Sequence, residues 1–295
     1  MVKGQDIKRA GLIGYGIQRS LTPAMHMREG AAQGLDYHYD LIDLNELKLT
    51  PDALDSLVSE AEQRGFCGLN ITYPCKQKIV PLLHEMSEDS RRLGAVNTVV
   101  LRDGKRIGHN TDWWGFAEGL RRQLPEADLA CLVQIGAGGA GAATAYAILQ
   151  LGAAALTIFD VDEARSFELA ALMAGLFPDA DVRAGRDLAG AMAKATGLVH
   201  ATPTGMDKHP GLPLSADLLN PPLWVAEIVY FPLETALVQA ARQRGCQVAN
   251  GGGMAVFQAV GAFSLFTGLM PDASRMLAHF RQLTGQDESM LASPV

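Results

Sequence analysis

Glycines at 136, 138, 139 and 141, in Gly136-Ala137-Gly138-Gly139-Ala140-Gly141, form the pattern GxGxxG between an apolar run and a helical stretch. A turn this tight lets backbone approach a pyrophosphate closely, and the helix that follows offers free N–H groups and a positive dipole end to the phosphates. Gly136, Ala137, Gly138, Gly139 and Ala140 are therefore candidate dinucleotide-binding residues. Asp160 stands 19 residues beyond Gly141, at the end of the next strand-like run, where a carboxylate accepts hydrogen bonds from ribose hydroxyls and repels a 2′-phosphate. That favours NAD as cofactor, while Arg165 nearby leaves NADP open. The plainer role for Asp160 is a helix N-cap, which Asp162 could equally fill.

A second group of residues could move a proton. Asn70-Ile71-Thr72-Tyr73-Pro74-Cys75-Lys76 reads as a strand end running into a proline-started helix, which puts Asn70, Thr72 and Lys76 at the carboxyl edge of a sheet. A desolvated lysine can shuttle the proton of an alcohol. On spacing alone, a solvated helical lysine is the better reading. Thr111 or Asp112, in Gly108-His109-Asn110-Thr111-Asp112, could do chemistry or merely cap a helix, and Asn97 could be a turn residue or a hydrogen-bond donor to a substrate.

The elements that must position these groups alternate. Strand-like Ala10 to Gly14, a helix from Pro23, strand-like Tyr37 to Ile42, helical Pro51 to Arg64 and strand-like Phe66 to Thr72 predict a mainly parallel sheet. Asp103-Gly104, between Val96–Arg102 and Lys105–His109, predicts a hairpin. After a helix from Asp112 to Gln123, strands at 129–135, 155–160, 198–202 and 224–229, with helices at 140–150 and 162–174, predict a doubly wound sheet. Gly251 to Gly253 read as a break, and 257–269 and 274–283 as amphipathic helices that return to cover the first domain. The expected fold class is α/β with two domains. An N-terminal mainly parallel α/β substrate domain comprises 1–111 plus 259–295, and a Rossmann-type doubly wound dinucleotide-binding domain comprises 112–258.

Composition narrows the function. A chain of 295 residues, 48% hydrophobic and 19% charged, can bury two cores. Its formal net charge of −7, without massed Lys and Arg, gives no footprint for nucleic acid or an anionic membrane, so a small-molecule partner is expected. The four cysteines have no metal-site or disulfide spacing, and no metal is expected. The N-terminus has no signal-peptide pattern, and no apolar run reaches the roughly 18 residues that span a bilayer. A cytoplasmic monomer or homodimer is expected.

Taken in order, the motifs resemble those of the shikimate/quinate dehydrogenase family from about Gly11 to Phe280. They are Ser20-Leu21-Thr22-Pro23, NxTxPxK at Asn70 to Lys76, GAxNT at Gly94 to Thr98, GxNTD at Gly108 to Asp112, and GxGGA at Gly136 to Ala140. Ala201-Thr202 with Gly205, Tyr230 with Pro232 and Thr235, and Gly251 to Gln258 complete the series. The resemblance implies an NAD(P)-dependent dehydrogenase of a ring hydroxy acid, shikimate and also quinate. Ser20 and Thr22 would bind the ring carboxylate, and Thr72, Lys76, Asn97, Asp112 and Gln258 the ring hydroxyls. Asn70 and Tyr230 join the expected substrate-binding set. Lys76 and Asp112 would be the catalytic pair, Lys76 exchanging the proton and Asp112 orienting it. Thr202, Ile228, Gly251 and Met254 would lie on the nicotinamide side.

The chain also departs from the family pattern. Thr22 and Asp160-Val161-Asp162 look like NAD-linked quinate/shikimate dehydrogenases, whereas NADP-using members mostly carry Ser-x-Ser and an Asn-Arg-Thr-like sequence. Gly16-Ile17-Gln18-Arg19 replaces the commoner Pro-Ile-x-His, His200 stands where asparagine is common, and Glu227 where aspartate is common. Trp113 and Trp114 read as helix packing. An aminoshikimate-type relative and a non-catalytic ligand-binding homologue are the rival readings. Whether such an enzyme would serve aromatic biosynthesis or quinate breakdown stays open.

Overall fold

Residues 7–285 are described by the structure, a computed structural model. The polar tail after Gly285, expected to fray, lies outside them. The chain divides into two compact units, Met1–Thr111 with Gln258–Val295, and Asp112–Phe257.

In the first unit β1 (Lys8–Gly14), α1 (Thr22–Ala32), β2 (Tyr37–Asp43), α2 (Leu54–Gln63) and β3 (Phe66–Ile71) alternate, and α2 follows a 3₁₀ turn at Pro51–Ala53. Next come β4 (Glu85–Met86), α3 (Glu88–Leu93), β5 (Thr98–Arg102) and β6 (Lys105–His109). The six strands form one sheet in the order β2-β1-β3-β5-β6-β4. β1 pairs in parallel with β2 and β3, while β5 runs antiparallel to both β3 and β6. The Asp103-Gly104 hairpin supplies the antiparallel element, with both turn residues at positive φ. Leu54, Val58 and Ala61 from the apolar stripe of α2 pack with Ile13, Leu69 and Ile71, forming one core. Ala10, Leu12, Tyr37 and Tyr39 meet Phe263 and Phe266 in a second.

The second unit opens with α4 (Thr111–Gln123). It continues through β7 (Leu132–Ile135), α5 (Gly139–Gln150), β8 (Ala155–Phe159), α6 (Glu163–Leu176), β9 (Asp181–Ala184), α7 (Leu188–Met192) and β10 (Gly197–His200). β11 (Trp224–Glu227), α8 (Ala236–Gln243) and β12 (Gln247–Ala249) follow, before α9 (Gly252–Thr267) and α10 (Ala273–Thr284). The sheet is all parallel in the order β12-β11-β10-β7-β8-β9. This is the doubly wound arrangement, with its topological switch between β7 and β10.

Two local expectations change. Residues 74–79 form turns and no α-helix: the Cys75 N–H returns to the Thr72 carbonyl at 2.8 Å and the Ile79 N–H to the Cys75 carbonyl at 3.0 Å. The glycines at 251–253 do not break the chain, since α9 begins at Gly252. A Cβ on Gly253 would lie 2.9 Å from the Gly119 Cα, so glycine lets α9 and α4 approach backbone to backbone. The unit boundary falls inside α9, between Phe257 and Gln258, because Ala262, Phe263 and Phe266 pack into the first unit's core. α10 is tied to that unit by a two-point pairing of Arg275 with the buried Glu29 carboxylate at 2.7 and 2.8 Å. The short elements β4, α3, β9, α7, α8 and β12 escaped the pattern reading, being too brief to show a period. Among the described residues, no helix is long and apolar enough to cross a membrane.

Candidate active site

Asn70, Thr72 and Asn97, three of the substrate residues expected in the first unit, lie at the carboxyl end of β3. Asn70 is a buried residue whose Oδ1 accepts from the Tyr39 hydroxyl at 2.7 Å. Its amide donates to the Thr98 hydroxyl at 3.0 Å and the Asn97 carbonyl at 3.3 Å. Both amide hydrogens and one carbonyl lone pair are thus spent inside the protein, and Asn70 acts outward through its neighbours. Asn97 Oδ1 accepts from the Thr111 N–H at 2.7 Å and the Thr98 hydroxyl at 3.0 Å, and its amide donates to Thr111 Oγ1 at 3.0 Å. Thr111 is therefore held by Asn97, and Asp112 is the next residue, in the first turn of α4. A carboxylate there also suits the helix dipole.

Lys76 stands in the turn that replaces the expected helix. Its carbonyl accepts from the Val96 N–H at 2.9 Å, and its neighbour Cys75 is fully buried, so the backbone is pinned on both sides while the side chain is only half-buried. Thr72 is fixed by its N–H to the Ile13 carbonyl at 2.9 Å. A Cβ on Gly14 would meet Thr72 Cγ2 at 2.3 Å, which explains glycine at the end of β1.

The loop from β1 to α1 carries Ser20 and Thr22. Asp43, at the end of β2, accepts from the N–H groups of Gly16 (3.0 Å), Ile17 (2.9 Å) and Asn45 (3.0 Å), and from Gln18 Nε2 (3.3 Å). Burial pushes its pKa up, and these four hydrogen bonds more than reverse that, holding the carboxyl below its usual range. The Ile17 carbonyl then accepts from the Ser20 N–H, and Ser20 Oγ from the Thr22 N–H at 3.3 Å. Sequence reading missed Asp43, since an aspartate at a strand end signals only a turn.

In the second unit the glycine pattern follows β7 and opens α5. Gly136 has φ +110°, and a Cβ there would lie 2.4 Å from the Ala201 carbonyl oxygen, while one on Gly141 would lie 2.2 Å from the Gly136 carbonyl oxygen. Gly138 and Gly139 differ: both are exposed, with open space where a Cβ would stand. The chain itself does not require glycine at those two positions, which suits close approach by a ligand's phosphates to the first-turn N–H groups of α5. Ala140 follows in that turn. The buried Gln134 braces the turn from within, its amide donating to the Gly136 and Gly141 carbonyls at 2.9 Å and its oxygen accepting from Thr144 at 2.9 Å.

Asp160 Oδ2 accepts from the Ala137 N–H at 2.7 Å, and Oδ1 from the Asp162 N–H at 3.0 Å. The helix cap is Asp162, accepting from the Ala164 N–H at 3.1 Å. Asp160 is thus released from the capping role and bound to the glycine turn. Arg165 is exposed and paired with Asp162 at 3.3 Å.

Thr202 follows β10 beside the glycine turn, its Cγ2 within 2.9 Å of a Cβ built on Gly136. Ile228 and Tyr230 follow β11. Gly251 packs under that turn, where a Cβ would meet the Ile228 and Val229 carbonyl oxygens at 2.5 Å. Met254 is half-buried in α9, and Gln258 lies one turn further. Burial and the nearby Asp112 carboxylate raise the Tyr230 phenol above its ordinary value. Trp113 packs edge-on to Tyr146 at 5.4 Å and Trp114 to Phe257 at 6.3 Å, the packing expected of them.

Residues 12–99 match the substrate binding domain of shikimate dehydrogenases. A shikimate dehydrogenase (NADP(+)) of Streptomyces avermitilis is 53% identical over 283 residues, 95% of this chain and 97% of that protein. A quinate/shikimate dehydrogenase (NAD(+)) of Corynebacterium efficiens is 46% identical over 276 residues, 92% and 97% of the two. Among solved structures, quinate dehydrogenase from Corynebacterium glutamicum in complex with NAD superposes with a TM-score of 0.89 at 45% identity, covering 94% of this chain and 99% of that one. Shikimate 5-dehydrogenase from Thermus thermophilus in complex with NADP(H) and shikimate gives 0.83 at 32% identity, covering 94% and 100%.

Proposed function

The chain belongs to the shikimate dehydrogenase family, and from that premise we propose how its residues serve a reversible NAD(P)-dependent oxidation of one ring hydroxyl of shikimate, with quinate as a second substrate. The observation that carries the assignment of roles is the gathering of Thr72, Lys76 and Asn97 at one sheet edge, with Asp112 directly after the Thr111 that Asn97 holds. A bound nicotinamide dinucleotide supplies the hydride acceptor or donor. Oxidation of the alcohol also releases its proton, and Lys76 Nζ takes it; Asp112 orients the amine and the hydroxyl. Ser20 and Thr22 offer hydroxyl donors to the ring carboxylate, and the Asp43-centred loop holds them in place. Thr72, Asn97 and Gln258 would bind the ring hydroxyls, Tyr230 would join them as a substrate contact, and Asn70 positions Asn97 and Thr98.

Gly136 to Ala140 would hold the pyrophosphate and Asp160 the adenosine ribose. Thr202, Ile228, Gly251 and Met254 would lie toward the nicotinamide. Asp160 favours NAD because its carboxylate would repel a 2′-phosphate, and Arg165 is already paired with an aspartate. The Streptomyces relative bears the NADP name and the Corynebacterium relative the NAD name.

The test is kcat/KM for shikimate and quinate, each with NAD and NADP, followed by nicotinamide absorbance. Turnover of shikimate with NAD as the best pair, and measurable turnover of quinate, is the expected result. No absorbance change with any of the four pairs would overturn the reading.

A further inference from the structure

His200 and Glu227 end the neighbouring strands β10 and β11, at paired positions in the register, and both are essentially sealed from solvent. Ionisable groups buried this deeply are rare without a partner or a task. Their hydrogen-bond inventory is fully determined by the surroundings. Glu227 Oε1 accepts from the Val229 N–H at 2.9 Å, and Oε2 from the Thr235 hydroxyl at 3.1 Å. Thr235 Oγ1 itself accepts from the Val238 N–H at 3.2 Å as the cap of α8, so its hydrogen must point at Glu227. His200 Nδ1 lies 2.9 and 3.1 Å from the two carboxylate oxygens and carries the hydrogen between them. That leaves Nε2 to face Thr202 Oγ1, at 2.6 Å, and Thr202 Oγ1 also accepts from the Thr204 N–H at 3.2 Å.

Two arms leave this buried pair, and both end beside the glycine turn's edge of the sheet. One runs through His200 to the Thr202 hydroxyl, whose methyl touches the space over Gly136. The other runs through Glu227 to the Val229 N–H, fixing the turn that bears Ile228 and Tyr230. Gly205 approaches the same cluster, a Cβ there meeting Thr235 at 3.2 Å and Glu227 Oε2 at 3.8 Å.

We propose that His200 and Glu227 are positioning residues of the dinucleotide site: the imidazole, oriented by the carboxylate, sets the Thr202 hydroxyl against the nicotinamide half of the cofactor. This rests on the cofactor reading above and goes beyond it, because neither residue touches the ligand in that reading. If His200 acts through Thr202, removing both cannot cost more than removing Thr202 alone.

The experiment is direct binding of NADH, followed by its fluorescence, to wild type, His200→Asn, Thr202→Val and the double variant. His200→Asn keeps a donor for Glu227 and is too short to hold Thr202. It should weaken NADH roughly fivefold to tenfold, the worth of one hydrogen bond. The double variant should bind no more weakly than Thr202→Val, and KM for shikimate at saturating NAD should move less than KM for NAD. Should His200→Asn fail to fold, as circular dichroism would report, Glu227→Gln takes its place with the same expectation for NADH. Wild-type NADH affinity in the folded variant, or losses in the two single variants that multiply in the double, would overturn the proposal. A wild-type protein that binds no NADH would overturn the cofactor reading itself.

Discussion

The carboxyl edges of the two sheets hold their functional groups by different means. At the first sheet the order comes from side chains bonded to side chains, in a run from Tyr39 through Asn70, Thr98 and Asn97 to Thr111. At the second it comes mainly from backbone shape, with Gly136 at φ +110° and Gly141 packed against the Gly136 carbonyl. A ring acid must be recognised hydroxyl by hydroxyl, which takes directional side-chain groups. A pyrophosphate is recognised by N–H groups and close approach, which takes the absence of side chains. Damage to the first edge should therefore fall on chemistry and substrate, and damage to the second on cofactor.

The largest effect should come from Lys76→Ala. It is expected to lower kcat by roughly 10²- to 10⁴-fold, the usual worth of a general acid-base group, while NADH affinity stays at the wild-type value. An equal fall in NADH affinity would break the contrast between the edges.

Next come two glycine variants. Gly136→Ala should cost on the order of 1–3 kcal/mol of stability, from strained φ and a clash with Ala201, along with NADH binding. Gly138→Ala meets open space at an ordinary φ of −77°, so its melting temperature should match wild type while NADH binding weakens about tenfold. Unchanged NADH binding in Gly138→Ala would mean that no phosphate comes near that position.

Acid should test the first unit's core. His26 is completely buried among aromatic rings, and desolvation lowers its pKa to about 3. The unfolded chain binds a proton near the ordinary value of 6.5 and the folded one does not. The stability from a neutral His26 is therefore complete above that value and lost as pH falls toward about 3, at up to about 1.4 kcal/mol per pH unit. Urea midpoints at pH 7 and pH 5 should fall apart less in His26→Leu than in wild type. The smallest effect is expected from Asp160→Ala, a shift of a few fold in the NAD to NADP ratio of kcat/KM. An unchanged ratio would remove Asp160 as the discriminating group and leave it as a brace of Ala137.

Much of this architecture is legible in the chain. The strand, glycine turn and helix around 132–150 and the Asp103-Gly104 hairpin carry local signals, because each depends on residues adjacent in sequence. The turn at Pro74 reads as a helix start, since proline begins both, and only the return of the Cys75 N–H to Thr72 distinguishes them. Nothing local marks Asp43 or Gln134 as the brace of a loop.

By itself, the order of residues determined the alternation of strands and helices and the tight glycine turn that follows β7. These follow from short-range sterics, hydrophobic period and side-chain chemistry. Only the tertiary structure decided that Asn70 spends its amide on Tyr39, Thr98 and Asn97, and that His200 faces Glu227 across two strands separated by 27 positions in the chain. A hydrogen bond needs both partners within about 3 Å in a fixed direction. Which distant residues meet that condition is set by strand register, and register is a property of the folded sheet.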